Sequence, residues 1–416
     1  MKQLVLILLL LIGWSSVAQK SITLEECYQL VTENYPLAKQ SKLLDAQNKL
    51  DAEVIATSKL PQLSLDAQAT YQSDVIEFPL AMSGIEPLNK DQYRATVSVN
   101  QLIYNGGATE ASLDLKSAQL KTKQKQVEVS LYQLKQQLNQ LYFSVLLAQE
   151  SQLLLKSKKA QLEAKLKEVQ SGIKYGVILP TSDKILEAEL LKISQQFNAL
   201  ESNKATLIET LSSLISQSLH ASTKFQKPFV ETQLQTELVR PELELFQLKK
   251  DEIENSEKLL SKQNAPKLLG FATGGYGNPG LNMLDNSFQG FYTVGVKVNW
   301  NIFDWNANKK QRESLAINKD FIENETEIFK LNTNIALNQQ KKEIDKIETF
   351  IISDLEIINL RKEVLKSADS QLKNGVITSS AYITELTNLY EDENTLVKHK
   401  IQLQLAKASY NVIKGQ

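Results

Sequence analysis

Apolar residues recur at an interval of seven between Ala108 and Ile173, with a second apolar row three or four residues out of phase. The first row consists of Leu113, Leu120, Val127, Leu134, Leu141, Ala148, Leu155, Leu162 and Val169. This pattern is typical of a helix that packs along a seam with partner helices. With no proline or glycine before Gly172, it predicts one helix of about 65 residues, roughly 100 Å long. Such a helix needs partners of similar length, and an ordinary coiled-coil dimer is one arrangement that would supply them.

The same arrangement occurs twice in the sequence. Val97–Tyr104 aligns with Val296–Phe303 at an offset of 199 residues, and Tyr175–Ile178 aligns with Asn374–Ile377 at the same offset. Landmarks in one order at one offset indicate an internal repeat. Each copy reads helix, strand, loop, strand, long helix, tight turn and helix.

The predicted elements follow from changes in the period. A helix is expected from Leu24 to Ser58, because Pro61 disfavours helix at the residue before it. Apolar and polar residues then alternate at 63–72 and 93–100, which predicts two strands of about ten residues. The second copy repeats them near Lys267–Tyr276 and Phe291–Phe303.

The chain begins with features of a secretory signal peptide. Lys2 precedes the apolar run Leu4–Ile12, and small residues end at Ala18, where we expect cleavage. The predicted organisation is a signal peptide at 1–18, a first repeat at 19–215, a linker at 216–239 and a second repeat at 240–416. The mature protein is therefore expected outside the cytoplasm.

The four predicted strands have the length and alternation of strands that cross an outer membrane at a tilt. Backbone polar groups in lipid must be paired within the protein, so a membrane sheet has to close on itself. Four strands are too few, since about eight are the usual minimum. Copies of the chain must therefore share their strands: two copies would give eight strands, and three would give twelve and room for a passage. The predicted fold class is mainly α with membrane β.

Composition excludes several function classes. The net charge of −1 gives no support to a nucleic-acid partner. Cys27 is the only cysteine, and we interpret it as a half-buried small residue in the first helix. His220 and His399 are the only histidines, and neither has a cysteine or second histidine at ligand spacing. We therefore predict no catalytic centre, no metal and no cofactor.

Three further patterns have alternative interpretations. Gly275–Gly280 fits the spacing of a dinucleotide-binding turn, but Pro279 follows where a helix should begin, so we interpret it as a surface loop. The lysines Lys156, Lys158, Lys159, Lys165 and Lys167 indicate a solvated helix face or a surface that attracts a partner. The aromatic residues near the strand ends suit the girdles of a membrane barrel, although aromatics are common in any strand. They are Tyr71, Tyr93, Tyr104, Phe271, Phe291, Tyr292, Trp300 and Phe303.

The chain resembles the TolC-type outer membrane efflux proteins over nearly all of its mature length. The resemblance rests on Leu60–Leu63 before the first strand, Leu102–Gly107 at the strand-to-helix junction, Tyr175–Ile178 at the helix turn, and the repeat. It implies a homotrimer with a twelve-stranded β-barrel in the outer membrane and an α-helical tunnel in the periplasm. It also implies two partners, a periplasmic adaptor and an inner-membrane pump.

The resemblance places the adaptor-docking and gating tips at the two helix turns. The first comprises Tyr175, Gly176, Val177, Ile178, Leu179, Pro180, Thr181, Ser182 and Asp183. The second comprises Asn374, Gly375, Val376, Ile377, Thr378, Ser379 and Ser380. Some members carry acidic residues after the second turn, whereas Ala381 and Thr384 stand there in this chain. Serine, threonine or apolar side chains are therefore expected to form the narrowest ring.

The expected function is that of the outer-membrane channel of a tripartite efflux or secretion system, a passive duct that catalyses nothing. The alternative is a periplasmic coiled-coil adaptor or structural protein without a barrel. Adaptors also use long helical hairpins, but they need additional soluble β domains for which this chain has no room.

Overall fold

The computed structural model describes residues 21–76, 87–232 and 237–416. The predicted signal peptide, the middle of the loop between the first two strands, and four residues of the linker lie outside the described residues. Two compact units are present. We call Met1–Lys39, Val127–Leu243 and Glu327–Gln416 the tip unit, and Gln40–Gln126 and Glu244–Thr326 the sheet unit. Each is described by itself below.

The elements follow one another in the predicted order. They are β1 (Ser21–Ile22), α1 (Leu24–Asn34), α2 (Lys39–Thr57), β2 (Gln62–Tyr71), β3 (Asp91–Tyr104), α3 (Ala108–Lys174), α4 (Ser182–Leu214), β4 (Lys224–Phe225), α5 (Pro241–Gln263), β5 (Lys267–Asn278), β6 (Gln289–Asn299), α6 (Ala307–Lys373) and α7 (Ser379–Lys414). The series α2, β2, β3, α3, α4 recurs as α5, β5, β6, α6, α7. The expected twofold repeat of helices and strands is thereby confirmed, and α3 and α6 each contain 67 residues.

The first predicted helix, Leu24–Ser58, is wrong as a single element. It is interrupted at Tyr35, whose backbone is extended (φ −59°, ψ 138°), and a 3₁₀ turn at Pro36–Ala38 precedes α2. The physical reason is Pro36, because proline disfavours the helical conformation of the residue before it. The structure also adds the short strands β1 and β4, which pair in parallel.

Several strand boundaries differ from the prediction. The last strand was expected to reach Phe303, but β6 ends at Asn299, which pairs with Lys267, the first residue of β5. Beyond this pair β6 has no ladder partner, since Pro266 lacks a backbone N–H. At its other end β5 continues to Asn278, so the first four residues of Gly275–Gly280 lie in a strand and only the remainder begins a loop.

One hydrophobic cluster of the tip unit surrounds α1. A capping box begins this helix, because the Thr23 hydroxyl accepts from the N–H of Glu26 (3.1 Å) while the Glu26 carboxylate accepts from the N–H of Thr23 (2.9 Å). Cys27 is fully buried. Tyr142 donates its hydroxyl hydrogen to the backbone oxygens of Ile22 (2.9 Å) and Gln226 (2.7 Å), which attaches the β1 and β4 segments to α3.

A second cluster of the tip unit contains two buried lysines. Lys158 and Lys165 are only 5% and 8% exposed. The expectation that the lysines of this stretch share a solvated face is therefore wrong for these two. Each follows a buried seam leucine, Leu155 or Leu162, by three residues, and residues three apart lie on the same side of a helix.

Each buried lysine has polar and aromatic partners. The Lys158 ammonium lies 3.3 Å from a carboxylate oxygen of Glu189 and 4.8 Å from the ring centroid of Tyr390. Lys165 pairs with Glu168 and Asp369, and its ammonium lies 5.4 Å from the ring centroid of Tyr382.

Lys373 completes an ion-pair cluster around Lys165. Its ammonium lies 2.9 Å from Asp369 and 3.2 Å from Glu168. Burial alone would raise the pKa of Asp369, but the hydrogen bonds from Lys165 and Lys373 outweigh it and hold the pKa below its ordinary value. The same partners lower the pKa of Glu168, with the hydrogen bond from Lys165 as the largest cause. The cluster joins α3 to α6 next to the turns that end both helices.

We predict that Asp369→Asn loosens the ends of α3 and α6. The substitution removes one of two carboxylates facing a buried lysine, which should cost about 1–3 kcal/mol of local stability. Because the folded pKa lies below the unfolded value of about 3.9, this contribution is complete above that value and is lost as pH falls through the folded pKa. Hydrogen exchange of the amides of residues 165–174 should therefore be faster in the variant at neutral pH and differ little in acid.

Glu393→Gln provides the matched control for that measurement. Its carboxylate lies 3.8 Å from Lys362, which is largely exposed, so the pair contributes little. Equal rates of amide hydrogen exchange in wild type and in Asp369→Asn at neutral pH would show that the cluster does not hold these helix ends together.

We also predict that Cys27 resists alkylation in the folded protein. Burial raises the pKa of its thiol to about 12, with the nearby Glu26 charge as a smaller cause. The thiol is therefore protonated as well as inaccessible at pH 8. N-ethylmaleimide should label unfolded protein fully within a time that leaves the native protein unlabelled, as mass spectrometry would show. Rapid native labelling would mean that α1 opens readily.

Candidate functional site

The first turn of the tip unit follows α3 and depends on two glycines. Gly176 adopts φ +72°, which lets the N–H groups of Val177 and Ile178 return to the carbonyl oxygen of Gly172 at 2.9 and 3.2 Å. A side chain at Gly172 would collide with Ile178, since an added Cβ would lie 2.6 Å from the Ile178 side chain. Gly172 therefore makes room for Ile178, which packs against the buried cluster.

The second turn follows α6 and has the same design. Gly375 adopts φ +69°, and the N–H of Val376 donates to the carbonyl oxygen of Gln371 (2.8 Å). The next helix, α7, is capped by Thr378, whose hydroxyl accepts from the N–H of Ala381 (3.2 Å). Thr181 at the start of α4 lacks such a bond and has φ +72°, an uncommon conformation for a β-branched residue.

The structure brings the two predicted turns together. A Cβ added at Gly375 would lie 2.9 Å from the backbone oxygen of Val177. A cavity of about 270 Å³ lies beside the first turn, lined in part by Tyr175, Ile178 and Leu372.

The predicted turn residues differ in exposure. Large apolar side chains project from both turns into solvent, with Tyr175 75% and Val376 71% exposed. Val177, Leu179, Pro180 and Thr181 are also exposed, as are Asn374, Thr378 and Ser380. Ser182 and Ser379 are buried, whereas Asp183 and Ile377 are half-buried.

Charges near the turns are largely paired with each other. Asp183 lies 3.6 Å from Lys184, which also binds Glu187 at 2.9 Å. The hydrogen bond that Lys373 donates to Asp369 is the largest cause that raises the pKa of Lys373. Sequence reasoning missed the cluster of Lys165, Glu168, Asp369 and Lys373; the spacing of three residues from the seam leucines was the available signal.

The sheet unit contains one antiparallel sheet with the strand order β2-β3-β5-β6. The register places Leu65 opposite Val97, and Ala272 opposite Val99 and Val294. In the part of the chain that the structure describes, β2 and β6 pair on one side only. Each end of the sheet is therefore an open edge with unpaired backbone groups.

The two faces of this sheet differ sharply. One face carries most of the apolar side chains of the sheet, and most of these are exposed, with Leu63, Tyr292 and Val294 each more than 70% exposed. Its members are Leu63, Leu65, Ala67, Ala69, Tyr71, Tyr93, Ala95, Val97, Val99, Leu268, Ala272, Tyr276, Tyr292, Val294, Val296 and Val298. The opposite face is mainly polar and, on β3, less exposed. A soluble sheet covers its apolar face with a core, whereas among the described residues nothing covers this one.

Aromatic residues occupy one end of the apolar face. Phe288 stacks between Tyr93 and Tyr276, with ring centroids 6.1 and 5.6 Å away. Trp300, Phe303 and Trp305 follow the other end of β6 and are also exposed. Of the predicted girdle residues, Phe271 and Phe291 lie instead on the polar face, because their positions are odd-numbered and the apolar positions of β5 and β6 are even-numbered.

Over the described residues, no group of three or more histidine, cysteine, aspartate or glutamate side chains is arranged to hold a metal ion. His399 lies 2.6 Å from Asp354. No described helix is both long enough and apolar enough to cross a membrane.

Comparison with known proteins gives a family match for part of the chain and a shared fold for nearly all of it. Residues 28–216 match the family model of outer membrane efflux proteins. No curated protein matches the sequence. Among solved structures, the chain is similar to the CmeC outer membrane channel of Campylobacter jejuni, with 15% identity, a TM-score of 0.66, and coverage of 97% of this chain and 90% of that one.

Two further channels give similar values. The outer membrane protein VceC of Vibrio cholerae shares 12% identity at a TM-score of 0.65, over 94% of this chain and 96% of that one. The open state of the MtrE outer membrane channel of Neisseria gonorrhoeae shares 14% identity at a TM-score of 0.66, over 94% and 89%. The family match in the first repeat, and a fold shared over both repeats, confirm the resemblance to the TolC-type outer membrane efflux proteins that the motifs indicated.

Proposed function

We propose that this chain is the outer-membrane channel of a tripartite efflux or secretion system. The observation that carries the proposal is the four-stranded sheet with a bare apolar face and two open edges. In water such a face would be an exposed hydrophobic patch, and such edges would invite aggregation. In lipid the same face is solvated by acyl chains, and edge-to-edge pairing with other copies satisfies the backbone.

The dimensions of the strands fit this location. β6 contains 11 residues, or about 36 Å at 3.3 Å per residue. At a tilt of about 40° it would span about 28 Å, close to the apolar band of an outer-membrane barrel. Three copies, each with four strands, would close a twelve-stranded barrel with room for a passage, whereas two would give an eight-stranded barrel filled by side chains.

The proposed partners dock at the two turns of the tip unit. Tyr175, Val177, Leu179 and Val376 are exposed there, and contiguous exposed apolar side chains mark interaction surfaces. A periplasmic adaptor would cover them and connect the duct to an inner-membrane pump. Opening would be a rearrangement of the helix ends next to these turns. The duct itself would perform no chemistry, and its partners would supply the energy.

The alternative of an adaptor or structural coiled coil requires a soluble protein whose sheet is covered. We predict instead that the protein stays in the membrane fraction during washes with high salt or alkali and is released only by detergent. After solubilisation it should migrate as a trimer and carry its adaptor and pump in a pull-down. Release by salt alone would favour the alternative.

A second prediction concerns the turn glycines. Gly375→Val should impair export most, because it adds left-handed strain of about 1–2 kcal/mol and a contact with the Val177 carbonyl oxygen. Gly176→Val should impair it less, since nothing lies within 4 Å of the added Cβ and only the strain remains. Export would be measured as resistance to toxic compounds in a host that lacks its own channel.

Gly176→Asn is the matched control, because asparagine tolerates φ above zero. It should export as wild type does. All variants should keep the detergent-resistant trimer. Undiminished export by a Gly176→Val, Gly375→Val double variant would show that these turns neither gate the duct nor dock a partner.

A further inference from the structure

The charged residues of the sheet are concentrated on its polar face. Asp66, Arg94, Lys267 and Lys297 all lie there, and the one other charged strand residue, Asp91, begins β3 on the apolar side. This face thus carries three cationic side chains and one carboxylate, although the whole chain has a net charge of −1. The strand residues of the polar face therefore carry a net positive charge, which the composition of the whole chain does not indicate.

Arg94 stands out among these cations. Its guanidinium carbon lies 5.8 Å from the ring centroid of Phe291, and its side chain forms no ion pair in the residues that the structure describes. Its strand neighbours in register are Gln68 and Gly277, neither of which can neutralise it. The guanidinium N–H groups are thus available to an external acceptor, in a fork that suits sulfonate, carboxylate and phosphate groups.

Two phenylalanine rings lie against glycines on the same face. A Cβ added at Gly275 would lie 2.5 Å from the Phe291 ring, and one added at Gly295 would lie 2.9 Å from the Phe271 ring. Each ring stands directly across the strand pair from its glycine. The rings therefore rest on backbone, and both are only partly exposed. On a mainly polar face they form two aromatic platforms, of which one adjoins Arg94.

We propose that this face binds organic anions that carry an aromatic ring. The ring of such a ligand would stack on Phe291, while its anionic group would accept hydrogen bonds from Arg94. Lys267 and Lys297 would add to the attraction along the same face. This inference rests on the proposed function, in which the polar face of the sheet lines the passage. It names the class of substrate that this part of the passage would bind.

The test is binding to the detergent-solubilised trimer, measured by isothermal titration calorimetry. The probes are naphthalene-2-sulfonate, the neutral 2-naphthalenemethanol and a cationic naphthyl trimethylammonium. Wild type should bind the sulfonate most tightly and the cation least. Arg94→Gln should weaken sulfonate binding about tenfold and leave the neutral probe nearly unchanged. Phe291→Leu should weaken binding of both the sulfonate and the neutral probe, because it removes the aromatic surface and keeps a similar volume.

Arg312→Gln is the matched control, since this arginine lies on α6 outside the sheet and donates to Asn308 at 3.1 Å. It should bind the sulfonate as wild type does. Salt provides a measurement that needs no variant, because raising NaCl from 0.05 to 0.5 M should weaken sulfonate binding and not neutral binding. Equal affinity of wild type for the three probes, or unchanged sulfonate binding by a folded Arg94→Gln trimer, would overturn the inference.

The outcome can be separated from that of the proposed function. A protein that remains in the membrane as a trimer but shows no preference for the sulfonate would contradict only this inference. A protein that salt releases from the membrane would contradict the proposed function, whichever ligands it binds.

Discussion

The constraint on which this structure depends is the pairing of backbone groups at the two edges of a small sheet. A single chain supplies four strands, and its edge strands β2 and β6 each have one partner in the described part of the chain. The exposed apolar face adds a second demand, because no described element of the sheet unit covers it. Lipid together with further copies of the chain satisfies both demands at once. The proposed assembly and location therefore follow from the unpaired edges and the exposed apolar face together.

The helical seam solves a different problem, which is to hold long helices in one register. A seam of leucines alone would allow neighbouring helices to slide by a heptad at little cost. Lys158 and Lys165 oppose this, since each must meet its own carboxylate and its own tyrosine. Burying a lysine is costly unless it is paired, so only the native register is acceptable. Such polar positions favour one register of the helices over the others.

Much of this fold could be predicted because two periodicities dominate the sequence. An interval of seven marks α3 and α6, and an interval of two marks the strands with their two faces. The failures have local physical causes. Pro36 divides the first helix because it disfavours the helical conformation of Tyr35. The hydrophobic periodicity does not reveal this break. Pairing of β1 with β4 joins two-residue segments that are far apart in sequence, and only the folded chain brings them together.

In the candidate site too, features that depend on a sequence pattern could be predicted, whereas features that depend on tertiary packing could not. The turns were recognisable from their Gly-Val-Ile motifs because the left-handed conformation at Gly176 and Gly375 favours glycine. The cluster around Lys165 was not recognisable from the sequence. A lysine in a helix rich in charged residues is expected to be solvated unless its partners from other helices are known. The phenylalanines of the sheet were misjudged for a related reason. Residue type suggested the lipid interface for Phe271 and Phe291, whereas parity along β5 and β6 places them on the polar face.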